Sequence, residues 1–476
     1  MSDDLPAGLD AARALVGPDR VTSDLGNNTG LFRRRNVFGV VRPRGVKDVQ
    51  RLTDIFAGPE SAALHAFSTG RNWGLGSREP ADDDVVALDL SDLDEVRAID
   101  VEAGWAVVEP GVTQGRMAEL LEGTTRMMNV TVSSAHSSVL GNALDRGIGL
   151  RHQRVDDLMG LEVVLPDGEL VRVGWWPDAQ RATPVYSHGV GPSLVQLFVQ
   201  SNLGIVTAAT VRLLPRPEAV RLVWLEFEPD RYADAVGHLR RWVAQGLVSG
   251  VLKVYSPAAA RGYGVTSEHF LAHVCVDGTA RAVDALVDVI AAEAGDTGVF
   301  AVVSTTDSAD PASPHHEVTT LVERSYLGDP DVTDTVFEAK MGMPADQLDD
   351  RMGFLFFLPL VPFTPDHLGA ADTLVREVSA ESGIPCGATL NALGPDVVDF
   401  VVTMKFDRER DAAAAHRALD LLYERFTDAG YLPYRLDIDH HDWIDRCDPD
   451  PTARTFARRL KKLLDPTSVI APGRYF

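Results

Sequence analysis

Short apolar runs separated by glycine turns fill the N-terminal part of the chain as far as Leu214, which predicts strands mixed with a few helices. Two of these runs, Ala62–Phe67 and Val85–Leu90, have the length and composition of buried strands. Between them lies Ser68–Ser77, which reads S-T-G-R-N-W-G-L-G-S. This glycine-rich segment is therefore predicted to be a tight loop that joins two buried strands.

Other local patterns predict the elements around this loop. Apolar residues recur at helical spacing after Gly45, and the turn dipeptide Pro110-Gly111 precedes a helix that Thr113 can cap. The runs Leu161–Leu165 and Leu170–Val173 flank a Pro-Asp-Gly turn, which is typical of a β-hairpin.

The pattern changes at Pro215-Arg216-Pro217, where we place the first domain boundary. Beyond it, strand-like runs alternate with alanine-rich helical stretches as far as Gly430, which predicts an α+β arrangement. The predicted strands are Leu222–Phe227, Phe270–Val276, Phe354–Val361 and Val397–Phe406, and the predicted helices are Ala280–Ala294, Arg410–Ala429 and the basic Ala453–Leu464. The polar segment Val303–Glu317 is predicted to be a loop.

Composition narrows the class of protein. A chain of 476 residues is long enough for two domains, and no apolar run reaches the ~20 residues that span a bilayer. The net charge of −24 argues against nucleic acid or an anionic membrane as partner. The acidic N-terminus lacks a signal pattern, and three widely spaced cysteines favour neither disulfides nor a metal site, so we expect a cytoplasmic protein.

The glycine loop has the chemistry of an anion site. Glycines allow close approach to the main chain, successive N–H groups can cradle a phosphate, and Arg71 adds a fixed charge. A single loop of this kind is more often only a turn, and it is neither a P-loop nor a Rossmann fingerprint. The phosphate interpretation gains weight because four similar segments follow in order.

Those segments are Glu109-Pro110-Gly111-Val112, the stretch Ser137–Gly149 (S-S-V-L-G-N-A-L-D-R-G-I-G), the stretch Gly189–Thr207, and Asp465-Pro466 with Ala471-Pro472-Gly473-Arg474. Together with Ser68–Ser77, these segments closely resemble, in order and in sequence, the motifs of the flavoproteins of the vanillyl-alcohol oxidase and p-cresol methylhydroxylase family. The resemblance covers nearly the whole chain.

The resemblance implies an α+β fold with a two-lobed FAD-binding domain of the p-cresol methylhydroxylase type at residues 1–216. A cap domain with a large antiparallel sheet would follow at residues 217–430, and residues 431–476 would return to the FAD domain. The residues that it implies for FAD are Gly70, Arg71, Asn72, Gly74, Leu75, Gly76, Pro110, Gly111, Val112, Ser138, Gly141, Asn142, Arg146, Gly147, Gly204, Ile205, Val206 and Arg474.

The resemblance also locates a catalytic pair. Tyr434-Arg435 occupies the place where the phenol-oxidising members contact the substrate oxygen, and Arg can bind a phenolate or carboxylate by paired N–H bonds. The alternative is a structural pair at the domain junction, with Arg435 bonded to a backbone carbonyl.

Three positions depart from the family pattern. Leu75 replaces a tyrosine, Ser133 replaces an aspartate near the flavin, and Phe354 replaces the histidine that tethers the flavin. We therefore expect non-covalent FAD and a different acid–base group. His136 is one candidate because imidazole accepts protons near neutral pH, and the cluster around His440-His441 is another, although a shared metal site there is not expected. Ser133, Phe354 and Phe356 are expected to line the substrate pocket.

The leading hypothesis is an FAD-dependent oxidoreductase in which a small alcohol, amine or phenol-like molecule gives a hydride to flavin N5. Electrons would pass on to dioxygen or another acceptor. The alternatives are a structural flavin with non-redox cyclisation or isomerisation, and a dehydrogenase that transfers electrons to a protein such as a cytochrome. A homodimer is expected from the family resemblance alone.

Overall fold

The structure is a computed structural model that describes residues 7–58, 61–71, 73–178, 185–331, 334–335, 338, 351–447 and 450–476. Its strands are β1 (Val21–Thr22), β2 (Val37–Val41), β3 (Ala63–Phe67), β4 (Val85–Asp89), β5 (Val96–Asp100), β6 (Trp105–Val108), β7 (Arg126–Met127), β8 (Leu158–Val164), β9 (Leu170–Gly174), β10 (Ile205–Arg212), β11 (Leu214–Pro215), β12 (Ala219–Phe227), β13 (Lys253–Tyr255), β14 (Phe270–Gly278), β15 (Val302–Thr305), β16 (Met352–Phe357), β17 (Leu360–Pro362), β18 (Cys386–Ala392) and β19 (Val397–Asp407).

The described α-helices are α1 (Ala7–Val16), α2 (Val46–Phe56), α3 (Gln114–Leu120), α4 (Val139–Leu144), α5 (Tyr232–Ala244), α6 (Pro257–Ala260), α7 (Ala280–Thr297), α8 (Pro314–Tyr326), α9 (Pro365–Ser382), α10 (Ala412–Asp428), α11 (Ile444–Cys447) and α12 (Pro451–Leu464). No helix among the described residues combines the length and apolarity needed to span a bilayer.

The first lobe is a four-stranded sheet in the order β1-β2-β4-β3. Strands β2 and β3 both run parallel to the central β4, whose five side chains are all buried. A central parallel strand is covered on both faces, which explains why Val85–Leu88 reads as a continuous apolar run. Leu9 of α1 and Leu52 of α2 pack against this sheet.

The second lobe is an antiparallel sheet in the order β5-β6-β10-β8-β9. The predicted hairpin is present, since β8 pairs with β9 and the N–H of Gly168 donates to the carbonyl of Leu165 at 2.9 Å. The predicted cap of α3 is present as well, because the N–H of Arg116 donates to Oγ1 of Thr113 at 3.2 Å. Local chemistry therefore decided both elements.

The cap region is an eight-stranded antiparallel sheet in the order β15-β12-β14-β13-β18-β19-β16, with β17 also paired to β19. Helices α5, α7, α9 and α10 contribute Trp242, Val283, Val375 and Leu422 to the hydrophobic core on one face. The two lobes and this sheet confirm the predicted α+β class with a large antiparallel sheet. The exact domain limits at residues 216 and 430 stay a prediction.

One element was predicted wrongly. The polar segment Val303–Glu317, expected to be a loop, contains most of β15 and the start of α8. Strand β15 lies at the edge of the cap sheet and is only half buried. An edge strand of this kind can contain polar residues, so the hydrophobic pattern did not indicate a strand here. The helix begins at Pro314 because the Ser313 side chain accepts a hydrogen bond from the N–H of His316 at 3.1 Å.

The C-terminal segment returns to the first lobe. The N–H of Leu64 donates to the carbonyl of Val469, and the N–H of Ala471 donates to the carbonyl of Leu64, each at 2.7 Å. Nζ of Lys461 donates to Asp465 at 2.5 Å and to the carbonyl of Ile470 at 2.8 Å. This anchored segment brings the last residues of the chain to the cavity described next.

Candidate active site

A cavity of about 700 Å³ lies between the two lobes and the cap sheet. Its wall combines the end of β3, the start of α4, the start of β10, four strands of the cap sheet and the C-terminal segment. Cavities of this size that join apolar walls to a few polar groups are typical of cofactor and substrate sites.

The glycine loop forms one side of this cavity. It begins where β3 ends, and Ser68, Thr69, Gly70 and Arg71 all line the cavity. Gly70 has a φ of +65°, a left-handed conformation that glycine adopts without strain. The turn therefore presents its backbone to the cavity as the sequence suggested.

The start of α4 forms the neighbouring part of the wall. Oγ of Ser138 donates to the carbonyl of Pro110 at 2.6 Å and accepts from the N–H of Gly141 at 2.8 Å. A Cβ on Gly141 would stand 2.3 Å from Oγ of Ser68, so this residue lets the helix approach the glycine loop closely. The two segments therefore share one narrow cleft.

Most residues that the resemblance assigned to FAD lie in this lining, namely Gly70, Arg71, Leu75, Pro110, Ser138, Gly141, Asn142, Gly204, Ile205, Val206 and Arg474. Six assigned residues that the structure describes lie outside it, namely Gly74, Gly76, Gly111, Val112, Arg146 and Gly147. Asn72 lies outside the described residues.

Gly74, Gly111 and Val112, three of the residues outside the lining, pack closely against other parts of the protein. A Cβ on Gly74 would stand 2.2 Å from the Phe356 ring, and one on Gly111 would stand 2.1 Å from the carbonyl of Ser91. Val112 is fully buried in the hydrophobic core of the second lobe. Their positions favour close packing behind the cleft over direct contact with a ligand.

The cleft fits a dinucleotide such as FAD. Among the described residues, Oγ1 of Thr69, Oγ of Ser77 and Oδ1 of Asn142 are buried without a hydrogen-bond partner, and all three residues line the cavity. Buried polar atoms usually have a partner, so these atoms point to a polar ligand. Arg71 and Arg474 in the same lining supply the positive charge that a diphosphate needs.

His65 of β3 also lines the cleft, and the sequence analysis did not single it out. Burial, together with the nearby charge of Arg474, lowers the pKa of His65 to about 4. Its Nε2 has no partner among the described residues. A neutral imidazole therefore faces the cleft at physiological pH.

The cap sheet supplies the opposite wall. Phe354 and Phe356 line the cavity and meet edge to face, with ring centroids 4.5 Å apart. Ser133 lines the cavity from the FAD side. The structure thus brings together all three residues that were expected at the substrate pocket.

Tyr434 and Arg435 line the same cavity, and Arg435 forms an ion pair with Asp145. This carboxylate also accepts a hydrogen bond from the hydroxyl of Tyr475 at 2.9 Å. Asp145 holds the pKa of Arg435 above its ordinary value although burial opposes this, and burial followed by the charge of Asp399 raises the pKa of Tyr434. The partner of Arg435 is therefore a carboxylate and not the backbone carbonyl that the structural alternative expected.

The two predicted histidine candidates lie elsewhere. His136 is exposed and is not among the described residues that line the cavity. His440 stacks on Tyr423 with ring centroids 3.9 Å apart, and Asp437 bonds to its Nδ1 at 2.9 Å. His441 begins a short 3₁₀ turn that ends at Trp443. No group of three metal-ligating side chains occurs in the described part of the chain.

The cap wall also carries a row of polar residues that was not predicted from the sequence. Lys253, Asn391 and Asp399 lie side by side on β13, β18 and β19. Nζ of Lys253 donates to Oδ1 of Asn391 at 2.6 Å, and Nδ2 of Asn391 donates to Asp399 at 3.1 Å. A charged residue inside an apolar strand run, as in V-L-K-V-Y and V-V-D-F-V-V, was the available signal.

The pKa values in this row are perturbed by burial. Burial lowers the pKa of Lys253 to about 8 and raises the pKa of Asp399 to about 7. The hydrogen bond from Asn391 and the charges of Lys253 and Arg435 limit the shift of Asp399. A carboxyl group that titrates near neutral pH inside a cavity is a candidate acid–base group.

Several known proteins are similar to this chain in sequence. The FAD binding domain family matches residues 38–174. The 1'-carboxy-chondrochloren decarboxylase of Chondromyces crocatus is 28% identical over 99% of this chain and 97% of its own length. The flavoprotein subunit of 4-cresol dehydrogenase [hydroxylating] from Pseudomonas putida is 23% identical, over 90% of this chain and 86% of its own.

Among solved structures, substrate-bound p-cresol methylhydroxylase aligns with a TM-score of 0.87 at 22% identity, covering 98% of this chain and 96% of that one. These findings confirm the resemblance drawn from the motifs. The chain is an FAD-dependent enzyme that contains an FAD-binding domain and has the fold of p-cresol methylhydroxylase.

Proposed function

We propose that this protein is an FAD-dependent oxidoreductase that takes a hydride from a small organic molecule, such as an alcohol, an amine or a phenol-like compound. Electrons then pass to dioxygen or another acceptor. The observation that carries the proposal is that the FAD-side residues and the polar cap residues line one continuous cavity. A hydride donor must lie against the flavin, so one shared cavity is what the reaction requires.

Each wall has a role in this proposal. Gly70, Arg71, Ser138 and Gly141 hold FAD, which supplies the hydride acceptor when bound. Tyr434 hydrogen-bonds a polar group of the substrate, and Arg435 orients it. Asp399 accepts the substrate proton, because its raised pKa near 7 lets it exchange protons at neutral pH.

Anaerobic mixing with a panel of alcohols, amines and phenols tests the redox proposal. Bleaching of the flavin by at least one class supports hydride transfer. Turnover with permanently oxidised flavin would instead support the non-redox alternative, in which FAD is structural.

FAD is held without a covalent bond in this proposal. Phe354, at the position where the family resemblance expects the tethering histidine, lines the cavity but cannot form that bond. Acid precipitation provides the test: a yellow supernatant supports dissociable FAD, and a yellow pellet contradicts it.

A second candidate reaction is an oxidative decarboxylation. It is favoured by the relative from Chondromyces crocatus, whose name describes a decarboxylase and which aligns over nearly the full length of both chains. Release of CO₂ in step with flavin reduction would distinguish it from oxidation that keeps all carbons.

A cytoplasmic location and a homodimer complete the proposal. The acceptor is proposed to be dioxygen, with a cytochrome-like protein as the alternative. Oxygen consumption and size-exclusion chromatography with light scattering check the acceptor and the oligomeric state.

A further inference from the structure

The cap wall of the cavity carries two lysines with different surroundings. Lys405 is exposed, although partial burial lowers the pKa of its ammonium group. Lys253 is only 8% exposed and points its charge into the polar row. A buried ammonium is costly unless anions or hydrogen bonds compensate it, so the partners of Lys253 matter.

Direct compensation of Lys253 is incomplete. Its Nζ has three donors, and its hydrogen bond within the described residues goes to the neutral Oδ1 of Asn391 at 2.6 Å. No carboxylate oxygen of those residues lies within the 4.0 Å of an ion pair. Asn391 stands between Lys253 and Asp399, which keeps the two charges one side chain apart.

The charge of Arg435, which lines the same cavity, is already balanced, although its Nε is buried without a hydrogen-bond partner among the described residues. It pairs directly with Asp145, which Tyr475 also contacts. A negatively charged ligand would therefore gain more at Lys253, whose direct partner is a neutral amide, than at Arg435, whose charge Asp145 already balances.

We propose that Lys253 binds a carboxylate of the substrate, so that the substrate class of this site is organic carboxylates. The inference rests on the proposed function, because it assumes that the substrate occupies the cavity shared with FAD. A single negative charge matches this row better than a phosphate dianion does, since Asp399 stands beside Asn391 and would repel a second charge. Lys253 thus determines specificity, while Tyr434 and Arg435 hold another polar group.

Binding of a matched pair of probes to the oxidised holoenzyme tests this assignment. 4-Hydroxycinnamate and 4-hydroxycinnamamide differ in charge but hardly in shape, and neither carries an sp³ C–H that could reduce the flavin. We expect the acid to bind roughly 10- to 100-fold more tightly than the amide, as charge-assisted hydrogen bonds do. Lys253→Met should abolish this preference, whereas Lys462→Met on the exposed face of α12 should keep it.

Equal binding of acid and amide by the unchanged protein would overturn the proposal, as would a preference that survives in Lys253→Met or disappears in Lys405→Met. If Lys253→Met does not retain FAD, the double variant Lys253→Met/Asp399→Asn removes both charges of the row and decides the same question. The comparison needs no turnover. If no substrate bleaches the flavin, the proposed function is wrong. The binding comparison of the two probes still decides the role of Lys253, because it does not depend on flavin reduction.

Discussion

Replacing Lys461 by methionine tests how the C-terminal segment is held on the first lobe. Nζ of Lys461 donates to Asp465 at 2.5 Å and to the carbonyls of Asn202 and Ile470 at 2.7 and 2.8 Å. The Lys461 side chain is 10% exposed and that of Asp465 is fully buried. Removing one partner of a buried ion pair leaves the other charge uncompensated, which costs about 3–5 kcal/mol.

The same change should weaken FAD retention, because Arg474 and Tyr475 follow the anchored segment into the cavity. Urea denaturation monitored by far-UV circular dichroism gives the free energy of unfolding, and flavin fluorescence reports release of FAD. Lys462→Met is the matched control, since this neighbour is exposed and should change stability by less than about 0.5 kcal/mol. A loss below about 1 kcal/mol in Lys461→Met would refute the anchoring role.

Three further outcomes are expected. Gly141→Ala should lower FAD affinity at least about tenfold in FAD titrations, because the new Cβ would stand 2.3 Å from Oγ of Ser68, whereas Gly369→Ala, with open space around it, should not. His136→Ala should leave the rate of flavin reduction unchanged in stopped-flow measurements, because His136 is exposed outside the lining. His440→Gln should remove stability that is present below pH 6.5 and lost as pH rises, since hydrogen bonding and charge from Asp437 outweigh burial and raise the pKa of His440; unfolding at several pH values checks this.

The lobes of the fold were predictable because local chemistry decides them. Buried parallel strands read as continuous apolar runs, as in Val85–Leu88 of β4. Thr113 and the Pro-Asp-Gly turn act within a few residues of their own position. The edge strand β15 escaped prediction because an edge strand needs only partial burial and tolerates polar residues.

The site was predictable where one motif supplies it and unpredictable where distant strands meet. Gly70, Ser138 and Gly141 belong to continuous sequence motifs, and all three line the cavity. The row from Lys253 to Asp399 is created by the register of β13, β18 and β19, which no local pattern contains. Likewise, the pairing of Arg435 with Asp145 joins residues that are 290 positions apart.

Titration of FAD into protein stripped of flavin tests the central claim most directly. If the cleft around Gly141 and the polar cap wall form one cavity for a bound flavin, each chain takes up one FAD, and an anaerobic substrate then bleaches it. A folded preparation that stays colourless through the titration would contradict the assignment.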